Sequence, residues 1–167
     1  DTPPKIDASW KAHIAHCLQN NHMKKLVLHA SWEHRLHRLA DAIQQAHSMK
    51  RSALVLTGEI ARASWLTQQL ARLTGLQITL AHPSSQSARW PQNQGQTPSV
   101  VVGTRSAIFS PLQSIGLIWV EGEEDSALKE PQEPRYHARE VASLRAESER
   151  ALVVLASAHP SLESRFD

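Results

Sequence analysis

At 167 residues, 41% of them apolar and 20% charged, the chain has the composition of a soluble globular protein and room for one compact core, not two. A formal charge of +2 permits contact with nucleic acid without arguing for it, and the single cysteine, Cys17, excludes a disulfide framework or a Cys-rich zinc site. No apolar run approaches the roughly 20 residues that span a bilayer, and Asp1–Lys5 carry no signal-peptide pattern. A cytoplasmic domain over residues 1–167, cut from a larger protein, is the expectation.

In chain order, Ala8–Asn20 reads as an amphipathic helix with Trp10, Ile14 and Cys17 or Leu18 on one side. Lys25–Ala30 is the first apolar strand, followed by a helix over Trp32–His47 that aligns Leu36, Leu39 and Ile43. Ala53–Thr57 is the second strand, and Ile60–Thr74 a helix with Ile60, Leu66, Leu70 and Leu73. Gln77–Ala81, Val100–Gly103, Gly116–Val120 and Leu152–Ala156 complete six strands. They are rich in Val, Ile and Leu with little alternation, the mark of strands covered on both faces. Arg139–Arg150 is a last helix, with Val141, Leu144 and Arg145 along one side. The segments Pro83–Pro98, rich in Ser, Gln and Pro, and Glu121–Pro134, acidic with prolines, read as loops after strand ends. Strands alternating with helices predict a three-layer α/β fold with a mostly parallel sheet of five or six strands, whose ligand sites lie at strand C-termini.

Four stretches stand in a fixed order: Val-Val-Gly-Thr-Arg-Ser-Ala-Ile-Phe-Ser-Pro-Leu (101–112), Gly-Leu-Ile-Trp-Val (116–120), Pro-Arg-Tyr-His-Ala-Arg-Glu-Val-Ala (134–142) and Ala-Ser-Ala-His-Pro-Ser-Leu-Glu-Ser (156–164). With Ala53–Ile60 and His82-Pro-Ser followed by Trp90, they resemble the first motor lobe of the PriA family of primosomal helicases over almost the whole chain. The resemblance implies a RecA-like P-loop NTPase fold. It also implies partners: single-stranded or forked DNA, and primosome proteins. Gly103, Thr104, Arg105 and Ser106 supply a close-approach glycine, two hydroxyls and a permanent cation suited to a phosphodiester. As residues alone, the same set also makes an ordinary turn at a helix start. Ser157, His159 and Ser161 fall in the motif that couples the nucleotide site of such motors to their second lobe.

The nucleotide site itself departs from the pattern. A P-loop needs glycines whose amides wrap the phosphates, a Lys to neutralise them and a hydroxyl for magnesium. Here the segment reads His-Ala-Ser-Trp-Glu-His-Arg-Leu-His (29–37), with Ser31 near the start and Arg35 at the Lys position in one register. Where the family carries Asp-Glu-Glu-His, this chain has Glu121-Gly122-Glu123-Glu124. Glu121 could replace the metal-bridging Asp, but Gly122 leaves no carboxylate for water activation unless Glu123 shifts. Two altered halves of one machine predict a lobe that does not hydrolyse ATP, with no cofactor and no metal. An atypical ATP–magnesium site using Arg35 is the alternative, and a purely structural lobe a third. Of the ten histidines, His13 and His16 stand at helical spacing with Cys17, as do His34 and His37 with each other, but neither group supplies the ligand set of a zinc site, and the histidines read as surface residues. Of the five tryptophans, Trp119 is core, Trp10 and Trp65 pack on helices, and Trp32 and Trp90 are the ones placed for ligand contact.

Overall fold

The apolar runs pair into one sheet. A computed structural model describes residues 8–20, 24–81, 98–122, 126–129, 131 and 135–158. Its strands are β1 (Lys24–His29), β2 (Ser52–Leu56), β3 (Ile78–Ala81), β4 (Val100–Gly103), β5 (Ile115–Glu121) and β6 (Leu152–Ser157). All five pairings are parallel, and the order is β1-β6-β5-β2-β4-β3. The helices are α1 (Ala8–Gln19), α2 (Trp32–Ser48), α3 (Ile60–Thr74) and α4 (Ala138–Glu149). Each agrees with its sequence-based span to within a residue or two. One difference matters for the site: Glu121 closes β5 instead of opening a loop. Most of Pro83–Pro98 lies outside the described residues, as do 123–125, 130 and 132–134 of the acidic segment.

Successive strand residues point to opposite faces, and the core divides accordingly. On one face Ala53, Val55, Val100, Val102, Leu117, Trp119, Leu152, Val154 and Ala156 meet α1, α2 and α3 through Ile14, Leu39, Ile43, Leu66 and Leu70. On the other, Leu54, Leu56, Val101, Ile118, Val120, Val153 and Leu155 meet α4 and the 3-10 turn Arg105–Phe109. The four inner strands are buried at every position, as their unbroken apolar character requires. Trp119 is fully buried, with the Trp10 ring edge-on to it at 6.5 Å.

The last helix corrects the sequence reading. It presents Ala138, Ala142 and Ala146 to the sheet, while Leu144 is 67% exposed and Val141 and Arg145 only partly covered. Short side chains at these three positions let α4 approach the sheet, and Leu144 turns outward. Arg145 then reaches back to donate to the carbonyls of Ile108 and Leu112.

The edge where the central strands begin is held differently. Arg51 donates to the carbonyls of Leu18, Ile115, Glu149 and Arg150, joining α1, β5 and the end of α4. Gly116 makes room for it, since a Cβ there would lie 2.7 Å from Arg51 Cβ. Just before β2, β5 and β6 stand Lys50, Ser114 and Arg150, three side-chain-bearing residues in the left-handed region at φ 58°, 54° and 55°.

Candidate functional site at the strand C-termini

Because every strand runs the same way, their C-terminal ends share one edge, where open α/β sheets hold ligands. β6 lies between β1 and β5, so the register sets His29 beside Ser157 and Glu121 beside Ala156. The chain leaving β1 turns at Ser31 into α2, whose second turn carries Arg35 over the end of β5. Arg35 and Glu121 are 86 positions apart and in direct contact. Nε of Arg35 donates to Oε1 of Glu121 at 2.7 Å, and Nη1 donates to the carbonyl of Ala30 at 2.7 Å. The second carboxylate oxygen of Glu121 accepts from the indole N–H of Trp119 at 3.1 Å. Trp119 and Glu121 share a strand face, being two residues apart. The pair is closed off, Arg35 being 6% and Glu121 2% exposed.

Burial raises the Glu121 carboxyl above the usual carboxylate range, against the lowering pull of the Trp119 N–H, of Arg35 and of the more distant Arg62. Both oxygens are engaged by protein donors, so any ligand or metal that needs Glu121 must first compete with Arg35 and Trp119. Ser31 leaves the first turn of α2 uncapped by its side chain, and its hydroxyl instead lies 2.7 Å from His34 Nδ1. Trp32 covers the pair, with the Arg35 guanidinium 5.2 Å from its ring centre.

The second predicted group lies along the same edge, two strands from β5 and therefore roughly 10 Å away. Gly103 ends β4, and Thr104, in extended conformation, leads into the 3-10 turn with no side-chain cap. A Cβ at Gly103 would sit 2.5 Å from Ala107 Cβ and 3.1 Å from Ala81 Cβ, so the glycine is required by the packing of the turn on the sheet. Ser106 is exposed, whereas Arg105 is half-buried and donates to the carbonyl of Ala127 at 3.1 Å. Ser157 is buried, with no hydrogen-bond partner for its hydroxyl among the described residues. Glu123, Glu124, His159, Ser161 and Trp90 lie outside the described residues.

Among the described residues no three His, Cys, Asp or Glu side chains gather where they could hold a metal, and no helix is long and apolar enough to cross a membrane. One cluster escaped the sequence reading. Trp65 of α3, expected only to pack, is 41% exposed and meets the Trp32 ring at 5.3 Å between centres. The Arg62 guanidinium lies 5.3 Å from the centre of the same Trp32 ring. The i, i+3 spacing of Arg62 and Trp65 on α3 was the available signal, but nothing in the sequence tied it to Trp32.

No family model matches the chain. Among solved structures it is similar to S. cerevisiae Dbp5 bound to Nup159, Gle1, IP6 and ADP, with a TM-score of 0.63 and 14% identity over 98% of this chain and 45% of that one. A DEAD box protein from Methanococcus jannaschii gives 0.55 at 11% identity, over 94% of this chain and 45% of that one. The fold is thus that of a RecA-like helicase lobe. Sequence goes further: the chain is 42% identical over 119 residues to the replication restart protein PriA of Synechocystis, 35% over 127 to that of Bacillus subtilis and 38% over 132 to that of Helicobacter pylori. These alignments cover 68%, 74% and 74% of this chain. The chain is a relative of PriA, and it spans only 14%, 16% and 20% of the length of those three proteins.

Proposed function

We propose that this chain is the first motor lobe of a PriA-like replication restart protein in which the lobe is kept for binding and not for ATP hydrolysis. The observation that carries the reading is the buried Arg35–Glu121 pair. In the register that sets Arg35 at the P-loop Lys position, with Glu121 standing in for the magnesium-binding Asp, the two side chains are paired with each other across the strand ends. The absence of phosphate-loop glycines from 29–37 points the same way. In this reading residues 1–167 form one lobe of a larger cytoplasmic protein. It contributes Gly103, Thr104, Arg105 and Ser106 to a DNA contact and supports primosome partners.

Calorimetry with ATP and with ADP, each with magnesium, tests the hydrolysis half of the proposal. We expect no magnesium-dependent binding heat at millimolar nucleotide and no magnesium-dependent thermal stabilisation, where a ligand at 100 times its Kd would add about 2.7 kcal/mol. Magnesium-dependent binding abolished by Arg35→Ala would instead establish an atypical site in which nucleotide opens the pair, and the enzyme reading would replace this one.

A further inference from the structure

Trp32, Arg62 and Trp65 line an open depression of about 300 Å³ on the α2–α3 face. Its ingredients are unusual on a chain with so few aromatics, 5% of residues. Two indole rings meet at 41°, one of them substantially exposed, and an exposed guanidinium lies within cation–π distance of the other. Packing alone does not call for this arrangement. Leu66 and Leu70 already seal the inner face of α3, and Trp65 stands outside that seal.

We propose that this cluster is a stacking platform for a nucleobase, with Arg62 holding the phosphate attached to it. A planar π-face is matched by the exposed ring of Trp65, whatever the base, because every base has such a face. The negative charge that accompanies a nucleotide is matched by Arg62, which already leans on Trp32 and adds cation–π character to the platform. Arg35, the other guanidinium near Trp32, is committed to Glu121 and so leaves Arg62 as the cation that faces solvent here. An apolar peptide would gain little from the arginine, and a lone anion little from the rings. The proposal extends the DNA-binding reading given above to a place that reading does not use. The same chemistry is offered by one nucleotide of a single strand and by a free mononucleotide, and the test separates them.

The experiment follows tryptophan emission of the 167-residue chain during titration with a 15-nucleotide oligo-dT at low salt, and separately with dTMP and AMP. Oligo-dT is expected to quench the emission. Trp65→Ala should weaken binding by roughly 5- to 150-fold, the equivalent of about 1–3 kcal/mol of base stacking. Trp65→Phe should restore most of it, and Arg62→Ala should weaken binding and lower the salt slope by about one. A thermal melt of each variant checks the fold, and Arg62→Ala, on the surface, carries the test if Trp65→Ala fails to fold. Oligonucleotide binding left intact by Trp65→Ala and Arg62→Ala overturns the platform while leaving DNA association standing. Mononucleotide binding that needs Trp65, without oligonucleotide binding, keeps the platform and defeats the DNA reading. Binding of neither defeats both.

Discussion

Arg35→Met separates the two halves of the buried pair. Burial already raises Glu121, so its contribution to stability is fully present below the ordinary carboxylate range and is lost as pH rises through the raised value. Removing Arg35 takes away part of what opposes that rise. The loss then continues to higher pH, and we expect R35M to cost about 3–5 kcal/mol at pH 8 and clearly less at pH 5. The double variant R35M/E121Q removes the charge yet keeps an acceptor for the Trp119 indole, and should recover most of the loss. Urea unfolding at the two pH values checks this, and an equal loss at both would mean that Glu121 is not left charged in the core. Gly103→Ala is a second residue-scale case. Its Cβ would press on Ala107, and we expect a cost of about 1–3 kcal/mol, read from a thermal melt. Unchanged stability would show that the 3-10 turn yields. Arg35 and Glu121 could each be singled out from the sequence, in the segments that follow the first strand and close the fifth. Their contact could not, because it depends on a separate strand, β6, being inserted between β1 and β5.

Elements were the most legible level, and α4 shows where that legibility stopped. Its limits followed from the pattern 139–150 to within one residue, but its buried face did not. Periodicity is read from bulky residues, and here alanines face the sheet while Leu144 faces out. The consequence is testable by a pair of substitutions. Leu144→Glu should change stability by no more than about 0.5 kcal/mol, as a surface change does. Ala142→Leu should cost about 1–3 kcal/mol by overpacking. Equal costs in denaturant unfolding would mean that α4 does not sit against the sheet as described. The inner strands were legible for the opposite reason. Burial on both faces leaves long apolar runs that no other local structure explains as simply.

For the molecule as a whole, the parallel α/β architecture could be argued from strand–helix alternation, and the relation to PriA from four ordered motifs. The Trp32–Arg62–Trp65 cluster could not, since it is assembled by the packing of α2 on α3. The proposed DNA contact belongs to this scale because phosphate binding sums over the surface. Arg105→Ala is expected to weaken binding to all DNA sequences alike and to reduce the dependence of log K on log salt by about one. A sequence-selective loss, or none, measured across a salt series would remove Arg105 from that contact.

The three left-handed residues ahead of β2, β5 and β6 bear on how such a chain can change over time. Each non-glycine residue in that conformation costs about 1–2 kcal/mol, and glycine at Lys50, Ser114 or Arg150 would relieve it, less the greater freedom glycine gives the unfolded chain. That correctable strain sits at the edge opposite the strand C-termini. A destabilising substitution at one end of the sheet can therefore be offset by a single change at the other, and the scaffold holds a reserve of stability on which later sequence change can draw.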